Sequence, residues 1–191
     1  MSSHHTATHH HHGTPKDAHP STTGTIHYRA MQPHDAEAVC HLVAKVFCAH
    51  VAPHFAPEGV AAFLQYLRPT ELWKRIHHEH FVLVAEDKSG LVGMIEMRDY
   101  NHVALLFVAE GHQKQGIARC LVELAVKECQ RHNPELTELT VGATPNAVPV
   151  YERLGFAQVR PDHWENGMHT FPMALPLATL QHESHELHRK A

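Results

Sequence analysis

Residues 102–120 read HVALLFVAEGHQKQGIARC, and the rest of the chain is organised around this stretch. It begins with the apolar run Val103–Val108, passes through the polar turn Ala109–Gln115, and opens a helix at Gly116. The first turn of a helix leaves backbone N–H groups without intrahelical partners and carries the positive end of the helix dipole. An apolar strand that leads through such a turn into a helix therefore indicates an anion-binding site.

Two common phosphate-binding loops do not fit this stretch. Gly111 and Gly116 have the glycine spacing of a Walker loop, but Ile117 and Ala118 stand where a Lys-Ser/Thr pair should follow. A dinucleotide loop is excluded because the stretch contains no G-x-G-x-x-G. What remains from geometry alone is an ordinary strand–turn–helix of an α/β domain.

The segment Gln113–Ala118, which reads QKQGIA, resembles the Q/R-x-x-G-x-G/A signature of the GNAT (Gcn5-related) N-acetyltransferases. The resemblance implies that this loop binds the pyrophosphate of acetyl-CoA. It also implies that the strand residues Leu106–Val108 bind the pantetheine arm through their backbone groups. For Lys114 and Arg119, two interpretations stay open, namely solvated charge and contact with the phosphates of CoA.

A second segment, Asn146–Phe156 (NAVPVYERLGF), is similar to the N-x-x-A-x-x-x-Y-x-x-x-G-F segment of the same family, although Pro149 departs from the usual Ala. The resemblance implies that Tyr151 donates to the departing CoA thiolate. Without it, Tyr151 would equally be an amphipathic aromatic residue of the core. The residues assigned to acetyl-CoA are Leu106, Phe107, Val108, Gln113, Lys114, Gln115, Gly116, Ile117, Ala118, Arg119 and Asn146.

Amide formation needs a free amine, and an alkyl amine with a pKa of about 10.4 is almost entirely protonated at pH 7. A general base is therefore useful. His102 is favoured because an imidazole titrates near neutral pH, and because some GNAT enzymes carry a catalytic Glu at this position. Glu96 on the preceding strand is the other candidate. We place the N–H group that meets the oxyanion near Phe107 or Val108.

The register of the reversal that follows Glu96 decides whether the two candidate bases share a face, and the sequence leaves it open. With a two-residue loop, Asp99 pairs with His102, and Glu96 lies on the opposite face from His102. With a three-residue loop, Arg98 pairs with His102, and Glu96 moves to the face of His102 and Ala104.

Periodicity over the whole chain predicts one strand, three helices, three antiparallel strands, a helix, a strand, a short helix and two last strands. The unit around 102–141 implies a parallel strand pair. The expected fold class is α/β (α+β), and by resemblance it is a GNAT-type mixed, mostly antiparallel sheet flanked by helices, with the parallel unit at the acetyl-CoA site. Thr70 is expected to cap the third helix. Residues 161–167 are expected to form a loop between the last two strands.

Residues 24–176 are predicted to form one GNAT-like domain, preceded by a disordered His-rich tail or tag (1–23) and followed by a polar helical tail (177–191). The acceptor pocket is expected between the early helices and the loop 161–167. The side chains expected near it are His50, His54, Trp73, His77 and Trp164.

Composition limits the classes of function. Hydrophobic residues make up 43% and charged residues 19%, as in soluble globular proteins. We expect a cytoplasmic protein, because no apolar run could span a membrane and no secretory h-region is visible. The net charge of −4 argues against nucleic acid as a partner. The 23 histidines could bind Zn²⁺ opportunistically, but no H-E-x-x-H is present and no metal ligand is assigned.

The sequence therefore predicts an enzyme, an N-acetyltransferase that moves the acetyl group of acetyl-CoA to a primary amine by direct attack in a ternary complex. One alternative is a non-catalytic acyl-CoA-binding sensor on the same fold. Another is a His-rich metal-binding protein. The acceptor is expected to be a small-molecule or peptide amine whose identity stays open, and a homodimer is also left open.

Overall fold

An eight-stranded sheet forms the centre of the protein, which is seen in a computed structural model that describes residues 24–165 and 167–177. The strands are β1 (His27–Ala30), β2 (His80–Asp87), β3 (Gly90–Arg98), β4 (His102–Val108), β5 (Glu138–Ala143), β6 (Ala157–Gln158), β7 (His163–Glu165) and β8 (Met168–Pro176). The helices are α1 (Ala36–His50), α2 (Pro57–Tyr66), α3 (Pro69–Ile76), α4 (Ile117–His132) and α5 (Val148–Arg153). Short 3-10 turns lie at Pro33–Asp35, Ala52–His54 and Glu110–His112.

The strands follow the order β1-β2-β3-β4-β5-β8-β6, and β7 pairs with β8 outside this path. All pairs are antiparallel except β4–β5, which is parallel. This confirms the predicted mixed, mostly antiparallel sheet with one parallel unit. Within the described ranges, no helix is long and apolar enough to cross a membrane.

The sheet separates two cores because its strands alternate side chains between the faces. On β3, Ile95 and Met97 belong to the core with α4 and α5, whereas Met94 belongs to the core with α1 and α3. All five residues of the predicted stripe of α1 are buried. Val39, Leu42, Val43 and Val46 belong to the second of these cores, and Phe47 stacks on Phe63 beside it.

Gly93 lets the start of α4 lie directly on the sheet. A Cβ at this position would come within 3.0 Å of the Ile117 Cγ2 atom and within 3.3 Å of the Leu121 Cδ1 atom. Any larger residue would therefore push away the first turn of the helix that the predicted anion site uses.

Two local predictions were wrong. Thr70 does not cap α3, because Pro69 is already the first helical residue and Arg68 is the N-cap. Proline is favoured at the first helical position, since its missing N–H would have no partner there. The segment 161–167 contains the strand β7, which forms a hairpin with β8. The predicted tails at 1–23 and 178–191 lie outside the described residues.

Candidate active site

Strands β4 and β5 begin as neighbours and then separate. They pair only at His102 with Thr140 and at Val103 with Val141, although β4 continues to Val108. The register between β3 and β4 shifts at the same place, because Met97 pairs with Val103 whereas Glu96 pairs with Leu105. Ala104 is thus an extra residue in β4. Such a bulge bends its strand and increases the local twist, so β4 turns away from β5 beyond Val103.

The backbone of β4 beyond the bulge is open on the side of β5. The Ala109 N–H donates to the Val92 carbonyl at 2.9 Å, so these two opposite residues form a hydrogen-bonded pair. Because such pairs alternate along an antiparallel ladder, the backbone groups of Phe107 bond to β3. Those of Leu106 and Val108 point into the gap between β4 and β5. Two of the three residues predicted for the pantetheine edge therefore present their backbone to this gap, and Phe107 does not.

The loop from β4 to α4 is held by its own glutamines. The Gln113 Nε2 atom donates to the Val108 carbonyl at 3.1 Å, and the Gln115 Nε2 atom donates to the Gly111 carbonyl at 3.0 Å. Lys114 is exposed, and its φ of 61° lies in the left-handed region. These side chains therefore fix the shape of the loop that was predicted to bind pyrophosphate.

The N-terminus of α4 has the features of an anion-binding site. Gly116 is the N-cap, with φ 82° and ψ 0°, and no side chain caps the helix there. The first bond back to the cap comes from the Cys120 N–H to the Gly116 carbonyl at 3.0 Å, so the amides of Ile117 and Ala118 precede it. The first turn contains no acidic residue, and the helix has 16 residues. A diphosphate fits this donor set and this dipole.

Arg119 ties the two helices of the site together. Its Nη2 atom donates to the carbonyl of Arg153, the last residue of α5, at 2.8 Å. A cation at this position also complements the negative end of the α5 dipole. Arg119 therefore links the start of α4 to the helix that carries Tyr151, a contact that neither interpretation from the sequence included.

Tyr151 lies on α5 and is only 7% exposed. Its ring meets the ring of Phe156 edge to face, with a centroid distance of 5.2 Å, after the chain has turned at Gly155 with a φ of 97°. Burial raises the pKa of Tyr151 well above its usual value. The hydroxyl therefore stays protonated near neutral pH and can act as a hydrogen-bond donor.

His102 is half-buried and bonds to the neighbouring strand. Its Nδ1 atom lies 2.8 Å from the Thr140 Oγ1 atom, and that hydroxyl lies 3.4 Å from the Asn101 carbonyl. If the Thr140 proton points to this carbonyl, the His102 Nδ1–H is the donor and Nε2 carries the lone pair. Burial and the nearby charge of Arg98 lower the pKa of His102 to about 4. The expectation that His102 titrates near neutral pH was wrong, because it ignored burial.

Glu96 is fully buried and held by several partners. Its Oε1 atom accepts from the Arg75 Nε atom at 2.7 Å and lies 2.8 Å from the His80 Nδ1 atom, and its Oε2 atom accepts from the Arg75 Nη2 atom at 3.0 Å. The Tyr66 hydroxyl is 3.5 Å from the Oε1 atom. Both carboxylate oxygens are thus engaged, and the carboxylate fastens α3 to β3.

The register that the sequence left open is now resolved. The reversal has three residues, and Arg98 pairs with His102. Glu96 therefore lies on the face of His102. Because of the bulge, however, its partner on β4 is Leu105, and Ala104 has no opposite residue.

Asn146 connects elements at the wide end of the gap. Its Oδ1 atom accepts from the Thr144 hydroxyl at 2.8 Å, and its Nδ2 atom donates to the His50 carbonyl at 3.3 Å. The His50 ring in turn bonds the Glu110 carboxylate, with 2.6 Å between Nε2 and Oε1. Asn146, His50 and Glu110 therefore join the end of α1 to the segments that follow β4 and β5.

Trp164, which was expected near the acceptor pocket, lies on the face of the sheet that carries α4 and is largely exposed. Its ring stacks on His169 at a centroid distance of 5.2 Å, and His169 contacts Phe171, which packs on the core with α4. Thr140, the partner of His102, was not among the residues predicted for the site. Its signal was present, since buried Leu139 and Val141 alternate with Thr140 and place it on the other face.

Known proteins resemble this chain over most of its length. A family model described as an acetyltransferase (GNAT) domain matches residues 51–177. The uncharacterized N-acetyltransferase YafP of Escherichia coli (strain K12) is 28% identical over 135 residues, which are 71% of this chain and 83% of YafP.

Solved structures share the fold. A GCN5-related N-acetyltransferase from Rhodopseudomonas palustris aligns with a TM-score of 0.67 and 17% identity, covering 84% of this chain and 99% of the other. The PaiA N-acetyltransferase from Thermoplasma acidophilum, solved with coenzyme A, aligns with a TM-score of 0.68 and 17% identity, covering 80% of this chain and 99% of the other. The spermidine N-acetyltransferase from Vibrio cholerae, solved with CoA and spermine, aligns with a TM-score of 0.55 and 19% identity, covering 79% of this chain and 95% of the other.

Proposed function

The chain belongs to the GNAT acetyltransferase family and is an enzyme that takes its acetyl group from acetyl-CoA; from this premise, we propose that its acceptor is a primary amine, which attacks the thioester in a ternary complex. A spermidine N-acetyltransferase among the proteins of the same fold supports a small amine as the acceptor. The observation that carries the proposal is the open backbone edge of β4, which leads directly to the uncapped N-terminus of α4.

Acetyl-CoA would be held along this edge. The backbone N–H and carbonyl of Leu106 face the gap and would pair with the amides of the pantetheine arm, whereas the Val108 carbonyl already accepts from the Gln113 side chain. The amides at the start of α4 would bind the pyrophosphate, and the exposed Lys114 would add charge. Bound there, acetyl-CoA supplies an activated thioester. Its carbonyl oxygen would be met by an N–H group of β4, for which we propose Val108, since the N–H of Phe107 is directed to β3.

His102 would take the proton of the attacking nitrogen. With its pKa lowered to about 4, the imidazole is neutral at pH 7 and its Nε2 lone pair is available. Such a group does not deprotonate an ammonium, whose pKa is about 10.4. The acceptor must therefore enter as the free amine. His102 then acts when bond formation makes the nitrogen positively charged and more acidic, and the contact with Thr140 orients the ring.

Tyr151 would donate a hydrogen bond to the departing sulfur. Its raised pKa makes complete proton transfer to a thiolate, whose conjugate acid has a pKa near 8.5, unfavourable. We therefore assign Tyr151 to stabilising the thiolate, and the thiolate receives its proton from solvent. Glu96 is not proposed as the base, because its oxygens are engaged by Arg75 and His80.

The experiment is a thiol-release assay with acetyl-CoA and a panel of primary amines, on the wild type and on Tyr151→Phe. We expect the variant to lose at least tenfold in kcat, because the donor acts only as the sulfur becomes charged. The dissociation constant of CoA, measured by calorimetry, should stay within twofold. An unchanged kcat would remove Tyr151 from the mechanism. A wild type that neither binds CoA nor releases thiol would contradict the function itself.

A further inference from the structure

Aromatic rings form a continuous surface on the side of the sheet that carries α1 and α2. The buried Phe47 stacks on Phe63 with a centroid distance of 3.9 Å and meets Phe55 edge to face at 5.5 Å. Phe63 lies 6.4 Å from Tyr66 and 6.3 Å from Phe107. Four of these residues are only partly buried. We call these four, Phe55, Phe63, Tyr66 and Phe107, the aromatic wall.

The helix that contributes most to this wall is incompletely covered. Helix α2 reads PEGVAAFLQY, yet Gly59 is its one buried residue. Leu64 on the same helix is 39% exposed, and Phe63 is only partly buried. An apolar helix normally buries one face against the core. The wall therefore offers apolar surface that the described part of the chain does not cover.

Phe107 connects the wall to the reacting centre. It is the residue between Leu106 and Val108, whose backbone groups face the gap proposed for acetyl-CoA. The Phe107 side chain lies on the face of the sheet that carries α1 and α3, opposite Met94, and packs against the core on that side. His102, the proposed base, lies on that same face through its pairing with Arg98. A molecule held against the wall would therefore have its amine close to both partners of the reaction.

The charges beside the wall disfavour an acceptor with a second ammonium group. The buried carboxylate next to Tyr66 is that of Glu96, and both of its oxygens already bind Arg75. The Arg75 guanidinium also covers the Tyr66 ring, at 3.5 Å from its centroid. A second ammonium group of the acceptor would thus face the Glu96 carboxylate, which is already paired, and the positively charged Arg75 guanidinium. An uncharged ring would instead meet apolar side chains.

We propose that the acceptor is a monoamine with an apolar body about as large as an aromatic ring, and that Phe55, Phe63 and Phe107 select it. This inference rests on the proposed function, since it names the acceptor class of the same site. It departs from the polyamine that is bound in the spermidine N-acetyltransferase of the same fold.

The first test compares kcat/KM of the wild type for 2-phenylethylamine, ethylamine and spermidine in the thiol-release assay. Burying one aromatic ring predicts a preference for 2-phenylethylamine over ethylamine of roughly 10- to 100-fold. The preference over spermidine should be at least tenfold. If spermidine or ethylamine is used as well as the aryl amine, the acceptor class is wrong while the acetyltransferase function stands.

The second test separates selection from packing with a matched pair of variants. Phe63→Leu should raise KM for 2-phenylethylamine about three- to tenfold, change kcat/KM for ethylamine by a smaller factor, and leave the dissociation constant of CoA within twofold. Phe81→Leu is the control, because Phe81 is also partly buried but stacks on Tyr100 in the core with α4. Phe55→Ala in the loop before α2 should behave like Phe63→Leu.

Equal effects of Phe63→Leu and Phe81→Leu would show that the rings only maintain the fold, and would overturn the proposed selectivity. Calorimetry with CoA on each protein keeps the two proposals apart. Retained CoA binding with turnover of a polyamine contradicts only the acceptor class. Loss of CoA binding in the wild type contradicts the enzyme mechanism as a whole.

Discussion

Thr140→Val should reveal how much the orientation of His102 contributes to catalysis. Valine has nearly the shape of threonine but lacks the hydroxyl that lies 2.8 Å from the His102 Nδ1 atom. The backbone bond from the Thr140 N–H to the Asn101 carbonyl, at 2.8 Å, is retained. The change therefore removes one contact of the imidazole and leaves the strand pairing in place.

The expected magnitude follows from the burial of this contact. A neutral hydrogen bond contributes about 1 kcal/mol net, and an N–H left unpaired in a half-buried site adds a cost of about 1–3 kcal/mol. If roughly 2 kcal/mol of this appears in the transition state, kcat/KM for the amine falls about 30-fold. Nothing in the acetyl-CoA loop changes, so KM for acetyl-CoA should stay within twofold.

The measurement is steady-state thiol release at saturating acetyl-CoA, with thermal unfolding of the same samples. Thr137→Val is the matched control, because Thr137 lies just before β5, is exposed, and takes part through its backbone carbonyl in a bond from Leu177. It should behave as wild type. If Thr140→Val keeps full kcat/KM, the Thr140 contact does not orient a catalytic base. The proposed role of His102 as that base would then lose its structural support.

Three further predictions concern stability and affinity. Glu96→Gln should lower the free energy of unfolding by about 3–5 kcal/mol in urea titrations, because the largely buried Arg75 loses the counter-charge of a fully buried carboxylate. Glu71→Gln, in a pair with an exposed lysine, should lower it by less than about 1 kcal/mol. Gly116→Ala should weaken CoA binding about tenfold, since φ 82° costs an L-residue about 1–2 kcal/mol; Gly111→Ala, outside the positive-φ region and with open space at its Cβ, should not. The pKa of His102 is lowered to about 4 in the folded protein, so the unfolded chain binds the proton first as the pH falls below about 6.5. The free energy of unfolding should therefore drop by up to about 3 kcal/mol between pH 6.5 and pH 4. In His102→Gln this drop should be smaller.

The sequence specified well what depends on neighbouring residues. The apolar run of β4, the start of a helix at Gly116 and the amphipathic stripe of α1 all follow from local patterns, and they place the strand–turn–helix correctly. The turn after β3 could not be resolved in the same way, because two- and three-residue loops both fit Asp99–Asn101. The choice depends on how β4 packs between two other strands, which no local pattern encodes.

The hydrogen-bond partners of the candidate residues could not be predicted from the sequence for a similar reason. Glu96 contacts Arg75, which lies 21 positions away, and His102 contacts Thr140, which lies 38 positions away. These contacts bear on the roles proposed for the two residues, since they engage both carboxylate oxygens of Glu96 and orient the His102 ring. Burial, which the sequence predicts only for faces and not for single polar groups, accounts for the wrong expectation about the pKa of His102.

Ala104 is the residue through which the fold brings the proposed parts of the site together. In a regular strand, His102 and Phe107 are five positions apart and would point to opposite faces. The additional residue at the bulge changes this parity, so both lie on the face of α1 and α2. The same bulge separates β4 from β5, so that the backbone groups of Leu106 and the N–H of Val108 face the gap without a partner strand. One inserted residue thus opens the edge of β4 that is proposed to hold acetyl-CoA, and it places the proposed base on the same face of the sheet as the aromatic wall.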